Sequence, residues 1–198
     1  MKILICSATN HNNLFNFDKV FADLCIDIFN YSMDEFDHKF NYWARKVNKL
    51  GIKEIKKIYY QDWNYKLLET YNSYRPDIIL FINGCEIIDE KTFEILKSKT
   101  KLAVWFIDGV KRDLLKKLDY QFKYYDYIFT FEEQDVLEIK KVYGLEAYFC
   151  PLGYNKFSYY PVEMLKDIDI IFVGMGSEKR IKILNEIAQF SKKANLTF

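Results

Sequence analysis

Two short polar pairs, Asn83-Gly84 and Asp108-Gly109, follow two strongly apolar runs and are the first candidates for a functional site. The runs, Ile78 to Ile82 and Leu102 to Ile107, are apolar at every position, which is typical of central parallel strands covered on both faces. Ligands of open α/β sheets bind in the crevice beyond the carboxyl ends of the strands. A carboxylate there can act as a general base, so Asp108 is the leading catalytic candidate. Capping of the helix that follows is an equally good explanation of Asp108.

A polar loop from Ser7 to Asn13 follows the first apolar segment, Ile3 to Cys6. A loop at this position of an α/β sheet often contacts a ligand, and Asn10 and His11 are its candidate site residues. The pKa of a histidine suits proton transfer near neutral pH, which makes His11 a second catalytic candidate. Simple solvent exposure is the alternative for a lone loop histidine. The loop lacks the three spaced glycines of a dinucleotide fingerprint, so NAD and FAD are not predicted.

Composition argues against several classes of function. The 198 residues include 29 Lys and Arg against 28 Asp and Glu, a net charge of +1, so we expect no nucleic-acid partner. Four cysteines occur without Cys-x-x-Cys spacing, which predicts reduced core cysteines in a cytosolic protein and no metal site. The N-terminus enters the first strand directly, so we expect no signal peptide, and no apolar run approaches the ~20 residues of a membrane span. The sequence predicts a soluble, cytoplasmic protein.

Strands and helices alternate along the chain, which predicts an α/β fold with a Rossmann-like parallel sheet flanked by helices. The irregular segment from Cys150 to Asp167 suggests a division into residues 1–160 and an incomplete second unit, 161–198. The predicted strands are Ile3–Cys6, Ile26–Tyr31, Ile78–Ile82, Leu102–Ile107, Tyr127–Phe131, Ala147–Phe149 and Ile168–Val173, and a further strand begins at Leu196–Phe198. The predicted helices are Leu14–Leu24, Glu35–Leu50, Ile52–Tyr60, Trp63–Tyr74, Asp89–Lys97, Lys111–Leu118, Glu132–Tyr143 and Glu178–Phe190.

The region from Glu35 to Tyr60 is both basic and aromatic. Trp43, Tyr59 and Tyr60 could lie at a membrane interface with the lysines at the lipid headgroups. The same spacing also suits helices packed on the sheet with a solvated basic face. A peripheral membrane contact therefore stays open beside the packing interpretation.

Five motifs occur in an order that resembles glycosyltransferases of the GT-B fold, most nearly their CgeB-like, spore-maturation branch. The similarity covers most of residues 76–190. The motifs are Arg-Pro-Asp-Ile-Ile-Leu-Phe-Ile-Asn-Gly (75–84), Val-Trp-Phe-Ile-Asp-Gly (104–109), Tyr-Asp-Tyr-Ile-Phe-Thr-Phe (125–131), Tyr-Phe-Cys-Pro-Leu-Gly-Tyr-Asn (148–155) and Asp-Ile-Asp-Ile-Ile-Phe-Val-Gly (167–174), with Arg180 following.

The resemblance implies two Rossmann-like domains that face each other across a cleft, the first binding the acceptor and the second a nucleotide sugar. A glycine-rich turn that opens a helix also offers backbone N–H groups and the positive end of the helix dipole to a phosphate. On the acceptor side the resemblance places Asn83, Gly84, Asp108, Gly109 and Thr130, and we add Asn10. It makes Pro151, Gly153 and Tyr154 the start of the crossover, and Gly174, Gly176, Ser177 and Arg180 the holders of the donor phosphates. Gly-x-Gly at a strand-to-helix turn is equally common as a packing device.

Acids and tyrosines near the fifth predicted strand have two interpretations each. Glu132 and Glu133 could bind acceptor hydroxyls, but acids in the first turn of a helix are favoured by its dipole anyway. The tyrosines could stack on sugar rings, or they could pack a helix on a strand. They are Tyr120, Tyr124, Tyr125 and Tyr127.

The function implied by the resemblance is transfer of a sugar from a nucleotide sugar, as co-substrate, to a glycan, cell-surface or lipid-linked acceptor, without a further cofactor. The rest of the donor domain would lie beyond Phe198, so we expect this chain to be a truncated or naturally short relative, inactive alone. A homo-oligomer through the incomplete second unit is one way to complete it. The alternative function is a non-catalytic, flavodoxin-like binding or interaction module.

Overall fold

The computed structural model of the chain describes residues 1–7, 17–32, 53–85, 87–110, 118–153, 159–163, 167–174, 176–194 and 196–197. The chain divides into two compact units, Met1–Ser158 and Tyr159–Phe198. The first contains the sheet and most of the helices, and the second contains one long helix.

Among the described residues, six parallel strands form a single sheet in the order β2-β1-β3-β4-β5-β6. The chain adds β2 on one side of β1 and the later strands on the other, so a topological switch point lies between β1 and β3. This all-parallel sheet, flanked by helices, confirms the predicted α/β, Rossmann-like fold. The strands are β1 (Lys2–Ser7), β2 (Asp27–Ser32), β3 (Ile78–Ile82), β4 (Lys101–Phe106), β5 (Tyr127–Thr130) and β6 (Tyr148–Phe149).

Two helix ends show how capping residues set the bounds of the helices. Asp89 caps α3, because its Oδ1 accepts a 2.7 Å hydrogen bond from the Thr92 N–H. Gly144 ends α4 in the left-handed region at φ 67°, and its N–H donates to the Lys140 carbonyl. The helices are α1 (Phe17–Asp23), α2 (Lys53–Tyr74), α3 (Glu90–Lys97), a 3₁₀-helix η1 (Asp119–Tyr124), α4 (Glu133–Tyr143) and α5 (Glu178–Lys193).

One face of the sheet carries the main core. Leu4, Ile79 and Phe81 are completely buried there, together with aromatic rings from the helices. Phe93 of α3 stacks on Tyr124 with the ring centroids 5.3 Å apart, and Phe122 stacks on Tyr143 at 4.2 Å. Such aromatic pairs add about 0.5–1.5 kcal/mol each beyond area burial. Of the predicted tyrosine cluster, Tyr120, Tyr124 and Tyr125 therefore serve packing, whereas Tyr127 on β5 is 40% exposed.

The other face has a smaller core and corrects one sequence prediction. Ile3, Ile5 and Ile82 are buried there against Phe17 of α1. The apolar runs in β3 and β4 predicted burial of both faces, but Leu80 and Trp105 on this face are only half-buried. The reason is topological: right-handed crossovers put the connection from β1 to β2 on this face and the later connections on the opposite one.

Two predicted helices are joined in the structure, and one observed helix was not predicted. Helices predicted at Ile52–Tyr60 and Trp63–Tyr74 are one continuous helix, α2. Across the predicted break, Asp62 pairs with Lys66 one turn later at 2.6 Å, which favours helix continuation. The 3₁₀-helix η1 was not predicted, and the predicted helices at Glu35–Leu50 and Lys111–Leu118 lie outside the described residues, apart from Leu118.

The predicted strand Ile168–Val173 is also wrong, because these residues form no regular strand. Its apolar side chains are exposed, with Ile171 at 73% and Val173 at 87%. Asp169 and Ile170 donate their N–H groups to the Thr197 carbonyl at 3.1 Å. An apolar run becomes a buried strand only when it is hydrogen-bonded to a partner strand on each side. Among the described residues, the backbone of this run is hydrogen-bonded only to Thr197.

Candidate functional site

The carboxyl edge of the sheet brings together the polar residues that follow β3, β4 and β5. Asn83 comes directly after β3, Asp108 two residues after β4, and Glu132 two residues after β5. These strands are adjacent and parallel, with Ile82 paired to Trp105 and Phe106 paired to Thr130. The three side chains therefore share one edge of the sheet, and Asn83 lies beside the switch point between β1 and β3.

Asn83 connects the ends of β3 and β4 through its side chain. Its Oδ1 accepts hydrogen bonds from the N–H groups of Ile107 at 2.7 Å and Asp108 at 3.2 Å. Its Nδ2 donates to Asp108 Oδ2 at 3.3 Å, and its backbone N–H donates to the Trp105 carbonyl. The residue adopts φ 60°, a conformation that asparagine tolerates better than most residues. Asn83 thus fixes the backbone and the carboxylate of Asp108.

Gly109 lets a second carboxylate approach this position. A Cβ on Gly109 would lie 3.3 Å from Glu132 Oε1 and 3.4 Å from Oε2, so the Glu132 carboxylate packs over the glycine backbone. Glu132 is the N-cap residue of α4 but makes no side-chain capping bond. Its side chain is exposed, whereas Asp108 is half-buried. Two acids of different environment therefore flank Gly109.

Gly84 is required by packing under the same edge. It adopts φ +66°, and a Cβ there would lie 3.0 Å from both Gln121 Oε1 and Leu118 Cδ1. Gln121 is completely buried. Its amide accepts from the Cys85 N–H at 3.3 Å and donates to the Cys85 carbonyl at 2.6 Å. Tyr125 Oη also donates to Gln121 Oε1 at 2.8 Å. Gly84 therefore serves the architecture of the turn after β3.

Thr130 and Asp135 are buried supports of the loops around the two acids. Thr130 is completely buried, and its hydroxyl donates to the Glu132 carbonyl at 3.0 Å. Asp135 is 1% exposed and accepts a 2.9 Å hydrogen bond from the Val110 N–H. Thr130 thus holds the loop that carries Glu132, and Asp135 holds the loop that carries Asp108. Gln121 and Asp135 were missed in the sequence because a polar residue inside an aromatic or helical run looks solvent-exposed.

The predicted donor residues lie together in the second unit, at the start of α5. Ser177 is the N-cap residue, and its Oγ accepts from the Arg180 N–H at 3.3 Å. Arg180 is exposed. A Cβ on Gly174 would meet the Phe172 ring at 3.1 Å, whereas one on Gly176 would make ordinary contacts at 3.6 Å. The sequence correctly predicts the start of this helix, and the described arrangement is that of a capped helix terminus.

The remaining predicted residues either lie outside the described parts of the chain or are not part of this group of polar residues. Asn10, His11 and Tyr154 lie outside the described residues, as does Trp43. Glu133 is exposed in the first turn of α4, and Pro151 and Gly153 are exposed after β6. Tyr60 packs against the main core.

Burial makes the thiols and phenols near the sheet poor nucleophiles. It raises the pKa of the Cys6 thiol well above its ordinary value, with a further contribution from Cys85. It does the same to the Tyr125 hydroxyl. The thiolate is the reactive form of cysteine, so Cys6 is a core residue. All four cysteines of the chain are free.

Comparison of the chain with protein-family models, curated proteins and solved structures finds no match. Within the described parts of the chain, no three His, Cys, Asp or Glu side chains group as a metal site requires. None of the helices seen in those parts has the length and apolar character needed to cross a bilayer.

Proposed function

We propose that this chain is the acceptor-side part of a glycosyltransferase, which transfers a sugar from a nucleotide-sugar donor to a glycan or cell-surface acceptor. The observation that carries the proposal is the pair of acids around Gly109, with Asp108 held by Asn83 and Glu132 packed over the glycine. They lie at the carboxyl edge of a parallel sheet, where α/β proteins bind ligands. The order of sequence motifs supports the same assignment.

Asp108 is the proposed general base. In an inverting transfer its carboxylate takes the proton from the acceptor hydroxyl, whose oxygen forms a bond to the anomeric carbon of the donor. The bond from that carbon to the phosphate oxygen breaks, and its electron pair leaves with the nucleotide. Asn83 suits this role as a positioning residue, because its amide binds Asp108 Oδ2 and fixes the backbone at Asp108.

Glu132 is the proposed binding residue for acceptor hydroxyls. An exposed carboxylate with two acceptor oxygens can bind neighbouring hydroxyls of a sugar ring. Thr130 fixes the carbonyl of Glu132, which anchors the start of α4. Gly109 has no side chain between the two acids, so an acceptor ring can approach the backbone closely.

The donor side of the proposal rests on the N-terminus of α5. Gly174, Gly176, Ser177 and Arg180 are the residues proposed to hold the donor phosphates, with help from the helix dipole. Arg180 would add a charge-assisted contact. The four free cysteines favour a reducing, cytoplasmic location for this reaction.

The test is a transfer assay on the longest version of the chain that its gene encodes, with UDP, GDP and CMP sugars and a panel of glycans, read by mass spectrometry. Replacement Asp108→Asn should lower the transfer rate by roughly 10²–10⁴-fold, the contribution of a positioned general base. Glu132→Gln should chiefly raise KM for the acceptor. Asp77→Asn at the opposite edge of the sheet is the control, and an equal loss there would contradict the assignment.

A non-catalytic binding module is the second candidate. It is supported by the strand order, because β2-β1-β3-β4-β5 is the order of flavodoxin-like folds, in which many binding proteins are built. In this case a ligand binds at the same edge without turnover. Binding of a probe that is unaffected by Asp108→Asn, with no transfer to any acceptor, would favour this function.

A further inference from the structure

The outer edge of the sheet is apolar and exposed along β6 and α4. Leu137 on α4 is 71% exposed, and Tyr148 and Phe149 on β6 are 49% and 51% exposed. Within the described residues, β6 ends the sheet and pairs only with β5. Unpaired edge strands are normally shortened, charged or covered. β6 is itself only two residues long, but the exposed aromatic and aliphatic side chains beside it form an apolar patch, which has the chemistry of an interaction surface.

A stripe along α4 continues this surface and has opposite charges at its two ends. Glu133, Val136, Leu137 and Lys140 are spaced i, i+3, i+4 and i+7, so they lie on one face of the helix. Glu133 and Lys140 are both exposed and lie two turns apart, roughly 10 Å along the axis. Two shallow clefts flank Val136, one lined by Glu133, Leu137 and Phe149 and the other by Lys140, Glu146 and Tyr148.

This stripe is complementary to itself under twofold symmetry. A twofold axis between Val136 and Leu137 makes two α4 helices antiparallel. Because that point is midway between Glu133 and Lys140, the axis brings each Glu133 opposite the Lys140 of a second copy. Isologous contacts of this kind are the commonest way in which identical chains associate.

We infer that two copies of this chain form a homodimer through α4 and β6, with Val136, Leu137 and Phe149 at its centre. Polar residues at both ends supply the rim, so the surface has the apolar centre and charged margin of protein interfaces. The partner is a second copy of the chain, because Glu133 of each copy lies opposite Lys140 of the other. This surface belongs to the first compact unit and differs from the C-terminal unit considered in the sequence analysis. The inference does not depend on glycosyltransferase activity.

The test is a charge exchange measured by sedimentation equilibrium on the full chain. The wild-type chain should sediment at twice its 23.9 kDa mass. Glu133→Lys and Lys140→Glu alone place like charges opposite each other at two symmetric positions, and each should weaken dimerisation by about tenfold or more. The double variant restores opposite charges and should return the dimer Kd to within about threefold of the wild-type value.

Leu137→Glu should abolish the dimer, because it places a charge at the apolar centre. Leu24→Glu is its matched control, since Leu24 is 62% exposed and lies outside this surface. Circular dichroism checks that each variant folds. A monomeric wild-type chain would overturn the inference, and so would a double charge variant that dimerises more weakly than either single variant.

Discussion

Replacement of Gly84 by alanine tests how the turn after β3 is built. Gly84 adopts φ +66°, which disfavours any side chain. The added methyl would also lie 3.0 Å from Gln121 Oε1 and Leu118 Cδ1, which is tighter than nine in ten real contacts of a Cβ, so one of these neighbours would have to shift. Gln121 is completely buried and holds both backbone groups of Cys85, so it has little freedom to move.

The expected loss has two parts. The left-handed conformation costs an L-residue roughly 1–2 kcal/mol. Displacement of Gln121 weakens hydrogen bonds to buried groups, at about 1–3 kcal/mol for a buried group left unsatisfied. Gly84→Ala should therefore lower the free energy of unfolding by roughly 2–5 kcal/mol, or the Tm by about 5–15 °C at the scaling for chains of this size.

The variant Gly144→Ala separates the conformational cost from the cost of displacing Gln121. Gly144 adopts φ +67°, nearly the same as Gly84, but a Cβ there meets nothing within 4 Å. It should lose only the conformational part, roughly 1–2 kcal/mol. Urea unfolding followed by tryptophan fluorescence and by circular dichroism measures both variants. Equal losses in the two would show that Gln121 does not restrict this turn, and the reasoning about Gly84 would be wrong.

Three further variants test the electrostatics and the edge of the sheet. Burial and the hydrogen bond to Asp119 raise the pKa of Tyr143 from 10.0 to about 12. The neutral phenol therefore stabilises the fold below pH 10, and this stability is lost between pH 10 and about 12. In the Tyr143→Phe variant the free energy of unfolding should depend less on pH in that range. Burial opposes ionisation of Asp126, but hydrogen bonds from Lys97 and other donors outweigh it and lower its pKa below 3.8. The ionised Asp126 carboxylate therefore stabilises the fold above pH 3.8, and this stability is lost on acidification. In the Asp126→Asn variant the free energy of unfolding should depend less on pH in acid. Asn83→Ala removes the side-chain bonds between β3 and β4, and urea unfolding should show a loss of about 2–3 kcal/mol.

The sequence predicted the fold because its strongest signals are local. Apolar runs bounded by turn residues predicted β3 with its observed bounds, Ile78–Ile82. Gly144 predicted the end of α4, since it removes the cost of a left-handed cap. The strand predicted at Ile168–Val173 was wrong because a strand also requires partner strands, and no local pattern reveals those.

The candidate site could be predicted only in part. Asn83 and Asp108 were found because polar residues after buried strands lie at the ligand edge of a parallel sheet. The position of Glu132 over Gly109 depends on the packing of two loops, and the roles of Gln121 and Asp135 depend on burial. Those features arise from contacts between residues 20 to 40 positions apart, where periodicity and capping rules carry no information.

The most direct test of the proposed site is an amide-resolved NMR titration of the chain with maltose, cellobiose and chitobiose as acceptor probes. Binding at the carboxyl edge should shift the amide signals of Asn83, Gly109 and Glu132, and Glu132→Gln should weaken the titration. The amides of Thr100 and Leu102, at the opposite edge of the sheet, should not move. Shifts confined to that opposite edge, or a titration unaffected by Glu132→Gln, would contradict the assignment of the acids around Gly109 as the acceptor site.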